Sequence, residues 1–171
     1  MEDNYDISKL KKGKKRINSR TKGQTFERQI AKQLNEAFST TEFSRSPGSG
    51  AFATTHHLPE HLKLYGDLIT PKNFKYCIEC KKGYNNEDIY SLLDYRSNFF
   101  KFLDQCEKDS EACSRIPLLI YKQDRKPTLA VTLANIFPEI HKNILIKKDA
   151  VEYKVFYLED IIKEDKYYWF V

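Results

Sequence analysis

The 171-residue chain has no apolar run near the length of a membrane span and no segment shaped like a signal peptide. Both absences argue against a spanning or exported protein, so a soluble, cytoplasmic protein is expected, with no membrane partner. Internal repeats are missing, as is any low-complexity tract beyond a basic leader, which excludes solenoids and arrays. Cysteine is sparse, with four residues at positions 77, 80, 106 and 113. Cys77 and Cys80 are an odd number of positions apart on a predicted strand, so they point to opposite faces. No knuckle-like turn separates them, and Cys106 and Cys113 fall on or near a helix. A zinc site is therefore not expected. Reduced, mostly buried thiols are the simpler expectation.

What is abundant is charge. Charged residues make up 31% of the chain, hydrophobic ones 40%, and the net charge is +5 with a pI near 8.9. That balance suits an acidic partner, most simply nucleic acid. The length fits one domain with a full core. Residues 1–21 read as a basic, flexible leader, because Lys9, Lys11, Lys12, Lys14, Lys15, Arg16 and Arg20 crowd a stretch with few apolar residues. Lys12, Lys15 and Arg16 are candidate phosphate contacts, each adding salt-dependent affinity. Residues 22–171 are the expected folded domain.

The informative stretch is Gly66-Asp67-Leu68-Ile69-Thr70, then Pro71-Lys72-Asn73-Phe74, then Lys75 to Lys82. Two β-rich runs flank a turn-forming tetrapeptide, which predicts a hairpin. Strand alternation then places Cys77, Glu79 and Lys81 on one face and Tyr76, Ile78 and Cys80 on the other. Asp67 arrives from the partner strand. Two carboxylates held together repel, and a cation between them relieves this. Mg²⁺ suits such oxygen donors, and an adjacent ammonium can hold an attacking water or offset developing charge on phosphorus. Asp67 with Glu79-x-Lys81 is thus a minimal kit for metal-assisted phosphodiester hydrolysis. Taken alone, E-x-K is also a common surface ion pair.

Thr21 and Gln24 have capping-box spacing, and Phe26, Ile30, Leu34 and Phe38 recur as an apolar stripe. A helix to about Phe38 is expected, with Glu27 at the stripe edge, either as a first-turn dipole partner or as a third acid aimed at the metal. Phe43-Ser44-Arg45 predicts a short strand and Ser46 to Gly50 a loop. The stretch to Tyr65 is long and irregular, with His56, His57 and His61; adjacent His56 and His57 could ligate a metal but read more simply as exposed surface groups. A long helix over about Glu87–Lys108 follows, carrying Ile89, Leu92, Leu93, Arg96, Phe99, Phe100, Leu103 and Cys106 at helical spacing. Ile116 to Lys122 predicts a central strand and Thr128 to Leu133 its partner. Residues 134–150 read as a short helix and loop, Val151 to Leu158 as a strand, and Leu158 to Ile162 as the start of a last helix. The aromatic end, Tyr167 to Val171, is expected to be packed.

In this order, the chain resembles the PD-(D/E)XK nuclease superfamily, most closely the archaeal-type Holliday junction resolvases and their phage relatives. The resembling residues are Lys22-Gly23-x-x-Phe26-Glu27-Arg28, Phe43-Ser44-Arg45-Ser46-x-Gly48-Ser49-Gly50, Gly66-Asp67-Leu68-Ile69, Ile78-Glu79-Cys80-Lys81 and Ile116 to Lys122. Asp67 follows Gly66 where the pattern has proline. The resemblance implies an α/β, restriction-endonuclease-like fold: a central mixed five-stranded sheet flanked by helices. It implies Mg²⁺, with Mn²⁺ as substitute, no small-molecule cofactor, and hydrolysis of DNA. Asp67 and Glu79 would bind the metal directly, Glu27 through water, and Lys81 would orient the water or stabilise charge. Arg28, Arg45, Ser46 and Ser49 would engage backbone phosphates, and Lys122 would face the site or the DNA. A homodimer would nick opposed strands of a four-way junction in recombination or repair, in a host cytoplasm or nucleoid if phage-encoded. The alternatives are another nuclease of this superfamily acting on linear, flap or single-stranded DNA, and a non-catalytic DNA-binding module.

Overall fold

The computed structural model describes residues 18–47, 65–93, 97–139 and 142–171. Lys12, Lys15, Arg16, Ser49, His56, His57, His61 and Arg96 lie outside the described residues.

Helix α1 spans Ser19–Phe38, and its start differs from the capping-box expectation. Asn18 is the cap, its Oδ1 accepting the Arg20 amide at 3.1 Å, which satisfies one of the amides a helix start leaves unpaired. The expected stripe holds: Phe26, Ile30, Leu34 and Phe38 are buried, and Glu27 is buried with them.

Among the described residues seven strands follow the chain: β1 (Ser44–Arg45), β2 (Leu68–Ile69), β3 (Tyr76–Lys82), β4 (Ile116–Lys122), β5 (Leu129–Leu133), β6 (Asn143–Lys148) and β7 (Val151–Tyr157). β3 to β7 form a five-stranded sheet in the order β3-β4-β5-β7-β6, with β3 parallel to β4 and the other pairs antiparallel. The expected mixed sheet is therefore present. The expected hairpin is not. β2 pairs antiparallel with β1, Arg45 opposite Leu68, and β3 takes β4 as its ladder partner. The intervening Phe74 bridges to Phe170 instead, and the Val171 amide donates to Asn73 O at 2.9 Å. The Pro71–Phe74 turn thus hands the chain to the C-terminus before β3 begins.

The long helix over Glu87–Lys108 resolves into two pieces, α2 (Ile89–Leu93) and α3 (Asn98–Ala112). Ser97 starts the second one, its Oγ accepting the Phe99 amide at 3.0 Å, while the Glu87 carboxylate takes the Asn98 amide at 3.1 Å. A serine hydroxyl in this role competes with helix continuation. Residues 134–150 also correct the sequence reading, because they contain β6. That strand is a sheet edge with Ile144 and Leu145 exposed, so it carries little of the burial signal that marks a strand in a sequence.

The two faces of the sheet bury different side chains. Tyr76, Ile78, Cys80, Leu118 and Ile120 pack toward α1 and the C-terminal helices α4 (Leu158–Ile161) and α5 (Lys166–Trp169). Leu119, Tyr121, Val131 and Tyr153 pack on the other face, against Phe99, Phe102, Leu103 and Cys106 of α3. The aromatic terminus belongs to the first core. Trp169 is fully buried, ringed by Phe38, Phe74, Tyr76 and Phe137 at centroid distances of 5.3, 6.0, 5.3 and 5.1 Å. All four cysteines are free, with Cys77, Cys80 and Cys106 buried.

Candidate active site

β3 is the open edge of the five-stranded sheet, and an edge leaves backbone groups unpaired. Asp67 fills them. Its amide donates to Ile78 O at 2.8 Å, and its Oδ2 accepts the Cys80 amide at 2.8 Å. Its carbonyl takes the Ser46 amide at 2.9 Å, which fixes the residue from the β1 side as well. Close approach requires Gly66, which has φ +72°. A Cβ there would stand 2.6 Å from Ile78 O and 3.0 Å from Cys77 Sγ. The sequence context Gly-Asp is thus a packing requirement: only glycine lets the chain lie flush against β3.

Strand alternation sends Glu79 and Lys81 to the α3 face. The Lys81 ammonium donates to Glu79 Oε1, and to Gln105 Oε1 on α3 at 3.0 Å. Glu27 comes from α1, where its Oε2 accepts Arg45 Nε at 2.7 Å. Three acids from α1, the β2 approach and β3 therefore share one neighbourhood. All three act electrostatically on the buried Cys80 thiol, which desolvation already pushes up.

Burial and the Asp67 charge act on both glutamates. Burial first, and then the Asp67 charge, pushes the Glu79 carboxyl up to about 8, with Lys81 opposing. Glu27 is raised for the same two reasons, opposed by Arg45 and Arg28. Burial works against the charge on Lys81, but Glu79 and Asp67 outweigh it and its pKa rises above the usual lysine value. Lys81 is thus held as an ammonium, suited to donating hydrogen bonds and offsetting negative charge, and not to removing a proton.

The donor set fits a hard divalent cation. Asp67, Glu79 and Glu27 offer only carboxylate oxygens, and a divalent ion would offset both the burial and the Asp67 charge that raise Glu79 and Glu27. Among the described residues no three His, Cys, Asp or Glu side chains form a ready-made cage. Lys81 takes a Glu79 oxygen and Arg45 one of Glu27.

The expected DNA contacts divide. Arg28 is exposed on α1 and lines a groove of about 490 Å³ with Lys32, Asn35, Ser44 and Arg45. Arg45 itself is mostly buried and committed to Glu27. Ser46 is not a surface group: it is 1% exposed, and its hydroxyl has no hydrogen-bond partner among the described residues. Lys122 ends β4 half-buried, its ammonium 3.4 Å from Thr128 Oγ1.

Two site neighbours escaped the sequence reading, Gln105 and Asp109. The Asp109 carboxyl, raised mainly by burial and then by Asp67, accepts the Gly66 amide. They stand four apart on α3, so both fall on one helix side. That i, i+4 polar pair beside buried Phe102 and Cys106 was the available signal.

The model of the family described as "Phage putative PDDEXK endonuclease" matches residues 18–171. Protein D14 of Escherichia phage T5 is 36% identical over 115 residues, covering 64% of this chain and 67% of that protein. No solved structure matches. The matched span takes in α1, all seven described strands and every one of Glu27, Asp67, Glu79 and Lys81, and the chain belongs to this phage PDDEXK endonuclease family.

Proposed function

We propose that this endonuclease is Mg²⁺-dependent and selective for branched DNA, resolving four-way junctions as a homodimer in the host cytoplasm or nucleoid. The metal requirement is carried by one observation: the Asp67 carboxylate is pinned to the Cys80 amide at 2.8 Å, beside the Glu79–Lys81 pair. Asp67 and Glu79 are the direct ligands in this reading, and Glu27 contributes through water. Mg²⁺ bound there would supply Lewis-acid polarisation of the scissile phosphate. Lys81 donates to the attacking water or a phosphoryl oxygen and offsets the charge that builds in the transition state. Arg45 opposes the rise in the Glu27 pKa and aims its carboxylate. Arg28 and Lys32, one turn apart on α1, offer cations to the flanking backbone, and the basic residues Lys12, Lys15 and Arg16 add phosphate contacts.

The junction preference and the two-fold assembly rest on the likeness of the Lys22–Arg28, Phe43–Gly50, Gly66–Ile69 and Ile78–Lys81 segments to junction resolvases. A two-fold protein matches a two-fold substrate. Labelled linear, flap, single-stranded and four-way DNA incubated with the protein and Mg²⁺ tests this reading. Paired nicks confined to the four-way substrate are the expected result. Equal cutting of linear or flap DNA would replace it with a repair- or restriction-like nuclease of the same chemistry.

A further inference from the structure

Lys81 is held by more than its strand neighbour. Its ammonium is 3.0 Å from Gln105 Oε1 and 5.5 Å from the centre of the Phe102 ring, both on α3. Phe102 and Gln105 are three apart, so they lie on one side of that helix. Phe102 is itself fixed, buried and packed by the Tyr84 ring at a centroid distance of 4.5 Å. An ammonium has three N–H donors. Glu79 and Gln105 take two, in directions set by a strand and a helix, and among the described residues the third is left for an incoming oxygen.

The chemistry of Gln105 suits this place. A carboxylate there would add another negative charge to a site where Asp67 and Glu79 already repel. An amide oxygen accepts the same hydrogen bond without that cost. It would also keep hold of the ammonium if a metal drew the Glu79 oxygen away, where a lysine tethered only to Glu79 would swing free.

We propose that Gln105 is a positioning residue that aims the Lys81 ammonium at the reacting phosphate. This rests on the nuclease reading of the site. Gln105 is exposed at the helix surface, so Gln105→Met, which keeps length and loses the acceptor, leaves the fold and its melting temperature unchanged. Single-turnover cleavage of a four-way junction with saturating Mg²⁺ should slow by roughly 10-fold or more, with junction affinity unaltered. In a Lys81→Ala background the same substitution should have no further effect, because Gln105 acts through the ammonium. Additive losses would overturn the proposal. A metal-free, DNA-free readout runs beside it: in ¹⁵N NMR, the Lys81 ammonium hydrogens of Gln105→Met should exchange with water faster than in the parent. Identical exchange would also overturn it. If the parent protein cuts no DNA, the nuclease reading fails by itself, and the ammonium exchange still decides whether Gln105 holds Lys81.

Discussion

The Asp67 side chain and the Cys80 backbone amide are joined by a 2.8 Å hydrogen bond, so a residue outside the five-stranded sheet completes its open edge. That bond orients the carboxylate alongside Glu79 without a regular β-ladder between the two segments. It depends on the backbone one residue earlier.

Gly66→Ala therefore tests how the site is built. The substitution places a Cβ 2.6 Å from Ile78 O in a left-handed conformation. Strain of this kind costs of order 1–3 kcal/mol before the clash is relieved. Urea unfolding should show at least that loss. Cleavage measured well below the melting temperature should fall further than the small unfolded fraction explains, because relief of the clash displaces Asp67. A variant with parent-like stability and activity would show that the close approach is dispensable.

The Glu27–Arg45 pair is a mostly enclosed ion pair at 2.7 Å, with side chains 10% and 20% exposed. Removing one partner leaves the other charge stranded. Arg45→Met should destabilise the protein by about 2 kcal/mol in chemical denaturation, and Glu27→Gln added to it should recover part of that loss. Equal destabilisation in the single and the double variant would mean that Arg45 acts by packing alone.

Glu79 gives the fold a signed pH dependence. Its carboxyl is raised to about 8 by burial and Asp67, against roughly 4.3 in an unfolded chain. The folded state then binds this proton more tightly, so its contribution is fully present below the unfolded value and is lost as pH rises through the folded one. In chelator, the parent melting temperature should drop between about pH 5 and 8 relative to Glu79→Gln. Parallel curves for the two proteins would place the Glu79 pKa in the ordinary carboxylate range.

The basic leader is tested by deletion of residues 1–17, which keeps the Asn18 cap of α1. Junction binding should weaken, and the plot of log affinity against log salt should become shallower, since fewer counterions are released. An unchanged slope would mean that Lys12, Lys15 and Arg16 make no phosphate contact.

Local patterns carried much of this architecture. The Phe26–Phe38 stripe, the apolar run Leu118-Leu119-Ile120 in β4, and the alternation that separates Glu79 and Lys81 from Ile78 and Cys80 were all legible, because helical and strand periods are written residue by residue. Pairing was less legible. The Pro71–Phe74 turn looks like a hairpin locally, but Leu68 and Phe74 are claimed by distant partners, Arg45 and Phe170, and competition of that kind leaves no mark on the intervening residues. β6 was hidden for a different reason: an exposed edge strand needs little apolar surface. In the site, the carboxylates and Lys81 were visible as a spaced motif. Gln105 and Asp109 were not, because they reach the site from a helix whose sequence is dominated by its core face.

Whether Asp67 and Glu79 together hold a divalent cation is decided by binding in the absence of catalysis. Calorimetric titration of the parent protein, Asp67→Asn, Glu79→Gln and Lys81→Ala with Ca²⁺ or Mg²⁺, without DNA, separates ligands from the neighbouring ammonium. Saturable binding by the parent and by Lys81→Ala, lost in Asp67→Asn and Glu79→Gln, is the expected result. Undiminished binding in both carboxylate variants would contradict it.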